Sequence, residues 1–195
     1  ALAAAVAVPA GFLLGGQKDA PDPPPARSPA PVDPLRGRFV AAPRPCSLIT
    51  SPEAARLGAG TPANAEAQGC RWGDSLGGDS IEMWLQHFAP RGQLTAPSLA
   101  EGYIADKKRQ FTVSAHTADK INSTQSGVTD VPDVADAAFV YDVTEGIGPG
   151  RSSTVWLRSS NVVVKVVYAD LSGATDAARL HQRAIETART VGARL

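Results

Sequence analysis

The chain has 195 residues, 19 basic side chains balanced by 19 acidic ones, three histidines and two cysteines. The charge balance removes the electrostatic case for a nucleic-acid partner, because such binders carry a basic face or stripe. His87, His116 and His181 stand at no zinc-ligand spacing, so neither a metal nor any other cofactor is expected.

Residues 1–16, ALAAAVAVPAGFLLGG, are uncharged and almost wholly apolar. As a helix they span about 24 Å, close to the roughly 30 Å of a hydrocarbon core. They read as a membrane anchor or as the remnant of a signal peptide, with Ala5-Val6-Ala7 as a weak small-x-small cleavage site. Residues 17–45 hold nine of the sixteen prolines. Proline removes backbone donors and fixes φ, so this segment is expected to be a disordered, solvated spacer.

Cys46 opens the part that reads as folded, a single domain over residues 46–195. With Cys70 it forms one disulfide if the compartment is oxidising; in a cytosolic protein the two would be buried thiols. Thr50-Ser51-Pro52-Glu53 is a capping box with proline in the first turn and Gly58 as the stop, giving a short helix over about 51–57. Strands follow at 69–73 and 80–88. The second alternates Ile81, Met83 and Leu85 with Glu82 and Gln86, while Trp84 and Phe88 share that second face.

Ser98 to Glu101 offers another capping box, opening a helix over about 99–111 whose basic run Lys107-Lys108-Arg109 suits its C-terminal dipole. A short strand at 112–115 and a polar loop to 136 are expected next. Strands at 137–144, 154–159 and 162–168 follow. The last, VVVKVVY, is β-branched on both faces except at Lys165, the pattern of a central strand. A helix over 173–191 closes the chain, with Ala177, Leu180, Ala184, Ala188 and Val191 along one stripe. This order predicts an α+β fold: an antiparallel β-sheet with helices packed on it, preceded by an N-terminal apolar helix and a Pro-rich linker.

Two chemical motifs need weighing. Gly73-Asp74-Ser75-Leu76-Gly77 matches G-x-S-x-G and opens with GDSL. A nucleophile elbow needs a strand, a turn and then a helix, with a histidine as base. Here a strand pattern follows the turn, and no histidine has an aspartate three residues upstream, so a hairpin is the expected reading. Asp130, Asp133 and Asp136 recur every three residues, but calcium takes six to eight oxygen ligands, and an acidic surface loop accounts for them. Glu82, Asp142 and Glu145 belong to no paired-carboxylate motif.

Pro45-Cys46-Ser47-Leu48-Ile49-Thr50 with Glu53-Ala54-Ala55, then Gly69-Cys70-Arg71-Trp72, the Val131 to Phe139 stretch and Val162 to Tyr168 together resemble an actinobacterial envelope domain found in secreted lipoproteins. The resemblance spans about residues 43–192. It implies a PsbP-like α+β sandwich and carries over no catalytic residue. The lipobox of such lipoproteins is missing, since Leu14-Gly15-Gly16 is followed by Gln17. The expected protein is a non-catalytic binding or scaffolding module, held outside the membrane through residues 1–16, whose partner is an envelope protein, glycan or lipid. The alternatives are an envelope hydrolase using Ser75 and a sensory ectodomain.

Overall fold

Among the described residues, long strands of alternating or doubly apolar pattern and three short ones paired to them make one antiparallel sheet of eight strands. The computed structural model describes residues 33–60, 62–73, 78–117, 123–146 and 148–195. The apolar stretch 1–16, the linker up to residue 32 and Ser75 lie outside them. Helix α1 (Ser51–Arg56) precedes β1 (Pro62–Ala65), β2 (Gly69–Gly73) and β3 (Asp79–His87). Helix α2 (Ala96–Thr117) leads to β4 (Ser123–Gln125), β5 (Thr129–Asp130), β6 (Ala137–Glu145), β7 (Arg151–Ser159) and β8 (Val162–Asp170), and α3 (Ala177–Gly192) ends the chain. Across the sheet the strands run β1-β2-β3-β8-β7-β6-β4, with β5 paired to β6. Among the described residues, no helix is long and apolar enough to cross a membrane.

The valine-rich β8 is central, between β3 and β7, and both its faces are covered over much of its length. One face of the sheet, carrying Trp72, Ile81, Met83, Val155 and Val166, packs against α3 and the segment around α1. Leu180, Ala184, Ala188 and Val191 of α3 are buried there, whereas Ala177 at its first turn is exposed. The end of α3 touches backbone: a Cβ on Gly192 would lie 2.0 Å from the Val134 carbonyl oxygen, so only glycine fits. The opposite face carries Phe139, Tyr141, Trp156 and Val163 beneath Ala100, Tyr103, Ile104 and Phe111 of α2.

Cys46 and Cys70 are disulfide-bonded, with Cα atoms 5.2 Å apart. The expected capping box is present: Glu53 Oε2 accepts from the Thr50 amide at 2.8 Å and from Thr50 Oγ1 at 2.7 Å. Arg194, beyond α3, donates to Glu53 Oε1 at 2.6 Å and to the Leu48 carbonyl at 2.8 Å. The Arg194 guanidinium and then Thr50 hold the Glu53 carboxyl at about 2, down from the ordinary 4.5. A depressed folded pKa stabilises above the unfolded value, and that stabilisation is lost as pH falls through the folded value. The melting temperatures of the parent and of Glu53→Gln are therefore expected to differ at pH 5 and above and to converge as pH falls from 4.5 to about 2. A constant gap across that window would show that Glu53 carries no such linkage.

Four expectations need correcting. Helix α2 starts at Ala96, a residue or two before the Ser98 box, because Thr95 caps it: its Oγ1 accepts from the Ser98 amide at 3.2 Å, and Pro97 sits in the tolerant first turn. The same helix continues through residues 112–115, read as a strand from their β-branched content. Phe111 stacks on Tyr141 with ring centroids 4.4 Å apart, and Thr112 and Ser114 hydroxyls donate back to the carbonyls of Lys108 and Gln110 at 2.8 and 2.9 Å. Tertiary contact outweighs the weak strand propensity.

Helix α3 begins at Ala177 and not at 173, because the Asp170 carboxylate holds a turn by accepting from the amides of Ser172, Gly173 and Thr175. Burial alone would raise the Asp170 pKa, but these bonds and that of the Ser172 hydroxyl hold it at about 2. Asp176 then caps the helix, accepting from the Arg179 amide at 2.9 Å. Lastly, residues 33–45 of the expected solvated spacer lie against the domain, with Gly37 and Pro45 buried. Fully buried Asn161 serves the backbone there, donating to the Phe39 carbonyl at 2.8 Å and accepting from its amide at 3.0 Å.

Candidate functional site

Strand pairing sets four side chains in one row across the second face of the sheet. Trp84 of β3 is opposite Lys165 of β8, Lys165 is opposite Trp156 of β7, and Trp156 is opposite Phe139 of β6. Helix α2 covers the Phe139 and Trp156 end of that row. The other end is open: Trp84 keeps 41% of its surface exposed, whereas Trp72 and Trp156 keep 0% and 8%.

Two lysines occupy the boundary between covered and open sheet. Lys165 Nζ lies 4.8 Å from the Trp84 ring centroid. Lys107 of α2 reaches over the same boundary, its Nζ 5.4 Å from the Tyr103 ring and 5.8 Å from the Trp156 ring. Burial lowers the Lys165 pKa, and repulsion by the Lys107 ammonium lowers it further. Among the described residues no carboxylate pairs with either ammonium group. The acid next along β3 on that face, Glu82, is engaged by Arg71. The ring faces take the place of counter-ions, which a cation–π contact can do only partly.

Beside Trp84 lies a shallow cleft of about 320 Å³ whose rim carries Glu66, Arg71 and Glu82. Gly69 is the cross-strand partner of Trp84 on the β2 side. A Cβ there would come within 3.5 and 3.6 Å of indole Cδ1 and Nε1, so glycine leaves that edge of the ring uncovered. Lys107 Nζ also donates to Gln110 Oε1 at 3.3 Å. The exposed ring, the polar rim and two ammonium groups without a carboxylate partner among the described residues can stack a planar or ring-shaped group and attract negative charge. They include no nucleophile with a base beside it.

A larger groove, about 540 Å³, runs between α2 and residues 130–139. It brings together two features singled out in the sequence, the basic run and the aspartate triplet. Lys108 Nζ binds both carboxylate oxygens of Asp130 at 2.6 and 2.7 Å, and Asp136 accepts from the Ser160 amide at 2.6 Å while pairing with Arg158 at 3.4 Å. These charges tie the loop to its neighbours, and among the described residues no three acids, histidines or cysteines are grouped to hold a metal.

Sequence reasoning missed one acid–base pair. His181 Nδ1 lies 3.0 Å from each carboxylate oxygen of Asp142, and both side chains are about one-third exposed. Ser153 is the cross-strand partner of Asp142, but its side chain is fully buried and its Oγ has no hydrogen-bond partner, so substrate cannot reach it. Only the register of β6 with β7 and the docking of α3 bring these residues together, and no local motif announces them. His87 serves the backbone, its Nε2 2.9 Å from the Phe39 carbonyl. Ser75 lies outside the described residues. Its flanks are β2 and β3, paired as neighbours through Gly73 and Ser80, so a strand follows the turn where a nucleophile elbow requires a helix. The chain matches no family model and no curated protein.

Proposed function

We propose that this protein is a binding module of the actinobacterial cell envelope: non-catalytic, tethered through residues 1–16, with its α+β domain, PsbP-like in kind, outside the membrane. The disulfide supports the location, since such bonds persist in oxidising compartments. The motifs around Cys46 and Cys70 support the envelope assignment. The observation that carries binding is Trp84, a large aromatic side chain left exposed on the sheet beside a lysine with no carboxylate partner among the described residues. Exposed aromatics flanked by polar groups mark recognition surfaces more often than isolated aliphatic residues do.

The test uses Trp84 as its own reporter, because the other two tryptophans are buried. Titrating the full chain with a solubilised actinobacterial envelope fraction should change its tryptophan emission and protect it from iodide quenching. The Trp84→Ala chain should show neither effect. Equal responses from both chains, or no response from the parent, would overturn the reading.

A further inference from the structure

We propose, resting on the binding reading above, that the ligand of this face is an anionic carbohydrate chain: a sugar ring stacks on Trp84 while its carboxylate or phosphate sits between Lys165 and Lys107. Three observations select this class. First, the two ammonium groups stand over aromatic rings with no carboxylate partner among the described residues, and both are only half-exposed. An incoming anion there gains two charge-assisted contacts and separates two like charges whose mutual repulsion already lowers the Lys165 pKa.

Second, the exposed indole is flat and bordered by polar groups, with Arg71 and Glu82 on the rim of the adjoining cleft. A pyranose has the matching form, with an apolar C–H face for the ring and hydroxyls at its edge for hydrogen bonds. Third, the complementarity is local. The whole chain is neutral, so no broad positive field would draw a polyanion indiscriminately. A neutral glycan would leave both lysines unmatched. A lipid surface would meet one exposed ring flanked by charges, too little apolar area to insert.

The experiment measures affinity of the full chain, by Trp84 emission and by calorimetry, for four probes. Hexagalacturonate and a phosphomannan fragment carry rings with carboxylate or phosphate; maltohexaose carries rings without charge; polyphosphate carries charge without rings. At least one anionic glycan should bind about tenfold or more tighter than either control, and weaken with salt. Which of the two binds identifies carboxylate or phosphate as the recognised group. Trp84→Ala and Lys165→Gln should each cost about tenfold. Arg109→Gln should change nothing, because Arg109 is exposed and pairs with Asp106 in its own helix.

Maltohexaose or polyphosphate binding as tightly as the anionic glycans would overturn the proposal, as would a Lys165→Gln chain that binds like the parent. If none of the glycans binds while the envelope fraction still protects Trp84, the carbohydrate assignment fails and the binding reading stands. If the envelope fraction is also without effect, both fail.

Discussion

Reduction of the Cys46–Cys70 bond is expected to lower the unfolding free energy by about 2–5 kcal/mol, with Cys46→Ser matching the reduced parent. The bond fastens the start of the domain to the second strand of the sheet. Leu48 and Ile49, just after Cys46, are 3% and 1% exposed, and Cys70 is 4% exposed in the same core as fully buried Trp72. Helix α1 spans only six residues, far too short to persist by its own hydrogen bonds. The bridge, the capping box and Arg194 hold it in place. Urea unfolding of the parent with and without reductant measures the loss, and reductant should leave the Cys46→Ser chain unchanged. Amide exchange should quicken first at Ala54 and Leu57, whose amides donate to Thr50 and Glu53 carbonyls. Equal midpoints with and without reductant would show that the bridge contributes nothing.

The features that were legible in the sequence are those whose cause is local. The Thr50–Glu53 box, the alternation of Ile81, Met83 and Leu85, and the doubly apolar VVVKVVY strand all appear where their patterns put them. Strands β1, β4 and β5 were missed because they are only two to four residues long, β4 and β5 wholly polar and β1 opening on a proline, and all three are held by pairing to a longer neighbour. The candidate site was visible only in pieces. Trp84 was one of two aromatics, with Phe88, on the second face of its strand, and Lys165 was the exception in a run of valines. Their meeting requires β3 to pair with β8 across the span of α2 and four intervening strands, which no local pattern encodes. The basic run makes the same point. Lys107 turns to the aromatic rings, Lys108 to Asp130 and Arg109 to Asp106, so three adjacent cations with one sequence signature have three different roles.

Removing Arg183 is expected to cost about 3 kcal/mol, near the lower end for breaking a buried ion pair. Its partner is Asp79, which opens β3, and the two side chains are 19% and 16% exposed. Residual exposure is what puts the cost at the lower end. The pair is anchored from several sides. Arg183 Nη1 also donates to the Tyr168 hydroxyl at 2.7 Å, that hydroxyl lies 2.9 Å from Asp79 Oδ2 and donates to the Leu57 carbonyl, and Thr175 Oγ1 donates to Asp79 Oδ1 at 3.2 Å. Burial and the adjacent Asp79 carboxylate keep the Tyr168 hydroxyl protonated well above the ordinary tyrosine range. Arg183→Ala strands the Asp79 carboxylate in this setting. Arg183→Met with Asp79→Asn removes both charges while retaining much of their volume, and should cost clearly less than the sum of the single changes. Tyr168→Phe deletes one hydroxyl bonded to both charged groups and should cost about 1.5–3 kcal/mol. Chemical unfolding of the singles and the double closes the cycle. Single changes that simply add would mean that Asp79 and Arg183 act independently, and that the ion pair between them contributes nothing to the junction of α3 with β3 and β8.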